Sequence, residues 1–209
     1  MVTILTNVRN AVIAGFVLAL LVFVIFVAVG GSSDVTATLT GPVFWQFVFR
    51  WFHVLLGILW IGLLYYFNFV QIPMMPKIPD EQKPAVSKVI APQALFWFRW
   101  AAMATLVTGL ILALMSNYLW QAYTLGLVDK VDKHAAIGIG MWLGSIMWFN
   151  VWFVIWPNQQ KALNIDNKFP DLTKEQKAAA GRTAMLFSRT TFMLSIPMLF
   201  AMVGAQHLG

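Results

Sequence analysis

The chain has 209 residues, of which 60% are hydrophobic, 15% aromatic and 11% charged, with a formal net charge of +6 and a mean hydropathy of +0.75. A soluble domain carries roughly 25% charged residues, so a chain this apolar stays out of water only inside a bilayer. It contains no cysteine, which excludes disulfides, thiolate metal sites and iron–sulfur clusters, and loops drawn to anionic headgroups explain the positive balance more simply than nucleic acid does.

The apolar runs do not alternate at period two, which sets a β-barrel aside. The expected fold is all-α: a polytopic membrane protein with five transmembrane helices in one membrane domain, 1–209. The first span covers about 10–30. Its apolar run exceeds the roughly 7–15 residues of a signal-peptide core, so it is expected to be retained as a membrane helix. A polar loop, 31–42, leads to the second span, about 43–71, which Pro73 and Pro76 are expected to end. After a charged segment, 77–88, the third span covers about 93–116. The connector 117–133 is semi-polar and suits a short interfacial helix. The fourth span, about 134–156, is expected to close at Pro157. A charged loop, 158–177, precedes the fifth, about 185–206, where Pro197 predicts a kink.

Lysine and arginine placement predicts the orientation. Arg9, the 72–92 loop (Lys77, Lys83, Lys88) and the 158–183 loop (Lys161, Lys168, Lys174, Lys177, Arg182) fall on one side, against Lys130 and Lys133 on the other. The N-terminus is thus expected in the cytoplasm and the C-terminus on the opposite face.

The spans carry a repeat. WIGLLYYFN (60–68) aligns with WLGSIMWFN (142–150), matching Trp60/Trp142, Gly62/Gly144, Phe67/Phe149 and Asn68/Asn150 at one offset. WFRWAAM (97–103) aligns more weakly with FSRTTFM (187–193), keeping Arg99/Arg189 and Met103/Met193. Together they suggest two helical hairpins, halves 43–116 and 134–206, related by a pseudo-twofold axis along the membrane normal. They would form a four-helix core, with the first span as an extra N-terminal helix.

Of the three histidines, His53 and His134 precede the aligned tryptophans by seven and eight residues and open similar patterns, HVLLG (53–57) and HAAIG (134–138). Each lies at a similar expected depth on helices running in the same direction. Gly57 and Gly138, one turn on, sit on the same helix face and remove the side chain that would block a flat ring bound to the imidazole. Two histidines on facing helices of a four-helix bundle are a standard way to hold haem b. Propionates need cations at the membrane edge, which Arg50, Lys130 and Lys133 can supply. The plainer readings are that His134 is an interfacial histidine after DKVDK, that Arg50 snorkels, and that His207 is a solvated tail residue. The one-residue slip between the two alignments, about 100° of helix rotation, argues against strict symmetry.

Asn68, Asn150, Arg99 and Arg189 suggest a second, polar site on the cytoplasmic side, suited to an anionic substrate, a quinone headgroup or lipid; positive-inside anchoring alone also accounts for the arginines. Eleven methionines raise copper as a cofactor, but they form no ladder facing the histidines, and gap-filling explains them better.

The stretch FRWFHVLLGILWIGLLYYFNFVQIPMM (49–75), supported by IGMWLGSIMWFNVWFVIWPNQQ (139–160), resembles the membrane domain of the membrane-bound, cytochrome-linked bacterial urate oxidases, the urate oxidase N-terminal domain family. The matching positions are Arg50, His53, Trp60, Asn68, Trp142 and Asn150. A shorter likeness, RW-x-HV…W-x-G, extends to copper-resistance membrane proteins. In the urate oxidase family a multi-span domain is followed by a periplasmic cytochrome c domain; this chain has no CxxCH. The resemblance therefore implies a bacterial inner-membrane haem b protein passing electrons from urate, another purine or quinol to a separate periplasmic cytochrome c or an oxidase. The rival expectations are a non-catalytic anchor subunit of a larger respiratory or photosynthetic membrane complex, and copper handling through His and Met.

Overall fold

In the computed structural model, residues 5–29 and 39–207 are described; the polar segment 31–38 lies outside them. Among the described residues there are helices and turns and no strand. Five helices are long and apolar enough to cross a membrane. They are α1 (Val8–Val29), α2 (Pro42–Lys77), α3 (Lys83–Met115), α5 (Asp132–Leu163) and α6 (Lys174–His207), with a short α4 (Leu119–Tyr123) in the connector. The chain divides into two compact units, Met1–Phe47 and Val48–Gly209. Helix α1 of the first unit is almost wholly apolar and buries none of its residues. Within the first unit, Phe23 meets Phe44 with ring centroids 5.3 Å apart.

In the second unit four helices close a ring in chain order. Phe67 of α2 packs edge-on against Phe98 of α3, and Trp152 of α5 donates its indole N–H to the Arg99 carbonyl of α3 at 3.2 Å. Gly140 of α5 lets Met202 of α6 approach so closely that a Cβ there would lie 3.1 Å from Met202 Cγ. Tyr65 and Phe69 of α2 pack edge-on against Phe192 of α6, closing the ring. The core inside it is built from Trp60, Leu64, Phe98, Met147, Val151 and Met198. On α6 the buried positions Ala180, Ala184, Ser188, Thr191, Ser195, Met198, Ala201 and Ala205 recur every three or four residues. Small residues there allow close helix approach where lipid supplies no hydrophobic drive.

At the connector side the helix ends lie within two residues of the expected bounds. At the opposite side they run further: α2 to Lys77 rather than 71, α3 from Lys83 rather than 93, α5 to Leu163 rather than 156, and α6 from Lys174 rather than 185. Charge ends a membrane span, but it does not end a helix. The start of α6 is fixed by a capping box, in which Thr173 N–H donates to Gln176 Oε1 and Gln176 N–H donates to Thr173 Oγ1, at 2.9 and 3.3 Å. At the other end of that loop, Asn164 takes the left-handed conformation (φ 49°) that closes α5.

Pro73 and Pro157 do not end their helices. Each is preceded by a widened π turn, Phe67–Gln71 and Asn150–Ile155, and Pro92 of α3 follows a third, Val86–Ile90. A proline ring clashes with the carbonyl four residues back. Those carbonyls belong to Phe69, Lys88 and Phe153, all inside the π turns, and the wider turn moves each off the ring. α6 runs through Pro197 in α-helical form.

Candidate functional site

His53 lies on α2, half-buried, and points at α3. Its Nδ1 is 2.9 Å from the carbonyl oxygen of Thr105 and 3.4 Å from Thr108 Oγ1. A backbone carbonyl only accepts, so Nδ1 carries the hydrogen, and in the neutral ring Nε2 holds the lone pair. The imidazole reaches this carbonyl because Gly109 has no side chain: a Cβ there would lie 2.8 Å from His53 Cε1. Threonine hydroxyls line the same strip, with Thr105 Oγ1 donating to the Ala101 carbonyl and Thr108 Oγ1 to that of Ala104, each at 2.7 Å. The TLVTG motif (105–109) is therefore the partner of His53, a match that only helix pairing reveals.

His134 opens α5 at the membrane edge. Its Nδ1 pairs with the Asp129 carboxylate, and its ring stacks on Tyr118 at 6.0 Å. Partial burial works against ionisation of Asp129, yet hydrogen bonds from His134 and the Val131 N–H hold its carboxyl below the usual range. Burial raises the Tyr118 hydroxyl above its ordinary value, while the positive charge of Arg50 pulls the other way. Arg50 itself is exposed. Lys133 and Lys130 are exposed, Lys130 in a left-handed turn (φ 57°). His207 is exposed at the end of α6.

The two glycines sit in different surroundings. A Cβ on Gly57 would meet only Thr105 Cγ2 at 3.9 Å, whereas one on Gly138 would run into the carbonyl of Ala122. The connector helix α4 occupies the face of α5 that Gly138 was expected to leave to a flat ring. It is held there by Trp142 Nε1 donating to the Tyr123 carbonyl at 3.0 Å and by Tyr123 hydroxyl against Ser145 Oγ at 3.1 Å.

The repeat survives in part. Asn68 and Asn150 each lie in a π turn and each reach α6. Asn68 Nδ2 donates to the Leu64 carbonyl at 2.8 Å and to Ser188 Oγ at 3.0 Å, and Asn150 Nδ2 donates to Thr191 Oγ1 at 3.4 Å. One turn on, Tyr65 hydroxyl lies 3.3 Å from Ser195 Oγ. The aligned tryptophans differ, however: Trp60 is 2% exposed and Trp142 46%. The buried stripe Trp60, Leu64 and Phe67 of α2 is matched in α5 by buried Gly144, Met147 and Val151, one or two residues out of step with the sequence match. His53 and His134 are accordingly held by separate neighbours, and among the described residues no hydrogen bond or ring contact joins them.

Arg99 and Arg189 do not join the asparagines. Arg189 is exposed on α6. The Arg99 guanidinium stacks over Trp156, its central carbon 3.8 Å from the ring centroid, with Trp152 at 5.0 Å and Trp100 at 5.8 Å. Ser188 and Thr191 meet the asparagines and Ser195 meets Tyr65; the three hydroxyls recur at helical spacing in SRTTFMLS (188–195).

As a place for b-type haem, the residues fit in donor chemistry at His53: Nδ1 tied to a carbonyl and Nε2 left as a base is the arrangement a metal-ligating histidine needs. The face over Gly138 does not fit a porphyrin, because Ala122 fills it. No group of three or more His, Asp or Glu gathers among the described residues. Comparison of the chain with protein-family models, with curated proteins and with solved structures returned no match.

Proposed function

We propose that this chain is a multi-pass electron-transfer protein of the bacterial inner membrane that holds a b-type haem through His53. The observation that carries the reading is the half-buried hydrogen bond from His53 Nδ1 to the Thr105 carbonyl, which orients the ring and leaves Nε2 as its basic nitrogen. A haem, when bound, supplies reversible one-electron transfer. The chain's own residues orient the ligand nitrogen (Thr105), admit the imidazole between two helices (Gly109) and place positive charge one turn nearer the membrane surface (Arg50). His134, oriented by Asp129, is the second candidate ligand. The reductant would be urate, another purine or quinol, and the acceptor a periplasmic cytochrome c or an oxidase. Positive-inside placement of lysine and arginine supports a cytoplasmic N-terminus and a periplasmic C-terminus.

The experiment is an oxidised and a dithionite-reduced absorbance spectrum of the full-length protein purified from haem-replete cells. A b-type spectrum that disappears in His53→Ala is expected; colourless wild-type protein would end the reading. The close fit of the imidazole against Gly109 and Thr105 favours a second reading, in which His53 ties two helices of a non-catalytic anchor subunit. Colourless protein that co-purifies with a respiratory or photosynthetic assembly would establish it.

A further inference from the structure

We propose that Arg99 and the tryptophans around it form a binding site for the phosphate of an anionic phospholipid, in the leaflet on the side of the 78–82 and 164–173 loops. The case begins with charge. The eight acidic residues are Asp34, Asp80, Glu81, Asp129, Asp132, Asp166, Asp171 and Glu175, so the stretch 82–128 that carries Arg99 contains no carboxylate, nor do 133–165 and 176–209. No side chain of these stretches can supply the counter-anion of Arg99, and among the described residues no ion pair includes it.

Depth comes next. Arg99 lies sixteen residues from Met115, the end of α3 at the connector side. At about 1.5 Å per residue that is roughly 24 Å. Across a hydrocarbon core of about 30 Å, it places Arg99 about 6 Å inside the opposite boundary. A lipid phosphate can meet an arginine side chain at that level with little bilayer distortion.

The geometry leaves the right atoms free. The guanidinium carbon lies 3.8 Å from the Trp156 ring centroid and 5.0 Å from that of Trp152, cation–π contacts that hold the group in place. Its N–H donors point along the edge, and among the described residues none of them makes a hydrogen bond or ion pair; Nε is shut away from solvent with no acceptor. The Trp152–Arg99 carbonyl bond holds the two helices in this register. A guanidinium held against aromatic rings keeps its planar fork of donors, which two phosphate oxygens match. The surface beside it on α3 and α5 is aromatic, with Phe96, Trp97, Trp100 and Phe153 all exposed, and suits acyl chains. That apolar surround favours a lipid-borne phosphate over a free ion, which would have to shed its hydration to arrive.

The test uses the full chain, purified and delipidated in mild detergent, and native mass spectrometry with phosphatidylglycerol or phosphatidylcholine of matched acyl chains. Both lipids carry the phosphate, but the choline cation of phosphatidylcholine offsets its charge and competes with Arg99 for it, so a roughly tenfold or greater preference for phosphatidylglycerol is expected. Excess inorganic phosphate should not abolish it, and the preference should fall to near parity in Arg99→Gln. Arg99→Lys, which keeps the charge but loses the fork, should retain a reduced preference. Equal binding of the two lipids by wild-type protein would overturn the proposal, as would an unchanged preference in Arg99→Gln. Displacement by inorganic phosphate would overturn the lipid assignment in favour of a free anion. Should Arg99→Gln fail to fold, wild-type selectivity and the Arg99→Lys variant decide.

Discussion

Gly109→Ala is the sharpest perturbation of the His53 contact. The added methyl would lie 2.8 Å from His53 Cε1 and 3.1 Å from Nδ1, well inside the roughly 3.5–4.0 Å of ordinary carbon contact. The ring has to move, and the 2.9 Å bond to the Thr105 carbonyl goes with it. Overpacking of this kind costs about 1–3 kcal/mol, and a hydrogen bond between membrane helices contributes about 0.6–1.7 kcal/mol. Replacing glycine by alanine in a helix returns about 0.8–1.0 kcal/mol. The net expectation is destabilisation by about 1–3 kcal/mol. Gly62→Ala is the control, because nothing lies within 4 Å of a Cβ there; it should be neutral or stabilising by up to about 1 kcal/mol. The assay is equilibrium unfolding in mixed micelles by titration with a denaturing detergent, followed by tryptophan fluorescence. In a His53→Ala background the new methyl enters vacated space, so the Gly109→Ala penalty should vanish. If Gly109→Ala is as stable as Gly62→Ala, or if its penalty persists without the imidazole, the packing argument is wrong.

Four further outcomes can be read in the same titration. Gly138→Ala should cost about 3 kcal/mol or more. The obstacle is the Ala122 backbone, which cannot swing aside, and lifting α4 breaks the Trp142–Tyr123 and Tyr123–Ser145 bonds. Gly57→Ala, meeting only Thr105 Cγ2 at 3.9 Å, should stay within about 1 kcal/mol of wild type. Asn68→Ala removes two hydrogen bonds, one to Ser188 of α6, and should cost about 1–2 kcal/mol. Arg189→Ala, on an exposed face, should change stability by no more than about 0.5 kcal/mol.

Composition and the length of the apolar runs by themselves determined the class, the number of membrane helices and their bounds at the connector side. The reason is that the bilayer imposes a minimum apolar length and a fully hydrogen-bonded backbone on any spanning segment. The opposite helix ends were not legible that way, because Lys77, Lys83 and Lys88, like Lys174, Glu175 and Lys177, leave the hydrocarbon without leaving the helix. The capping box at Thr173 was written in the sequence all the same. Three prolines two residues beyond π turns follow one local rule, the clash with the fourth carbonyl back, so the turns at Asn68 and Asn150 have a sequence cause. What only the tertiary structure decided is which partner each polar side chain meets. HVLLG and HAAIG look alike as strings, yet one imidazole meets a backbone carbonyl between two helices and the other a carboxylate at the membrane edge. Arg99 and Arg189 align as well, but one is boxed by tryptophans and the other faces outward. A match along the chain records spacing within a helix; rotation about the helix axis, about 100° for each residue of slip, is set by packing against neighbours and determines where a side chain points.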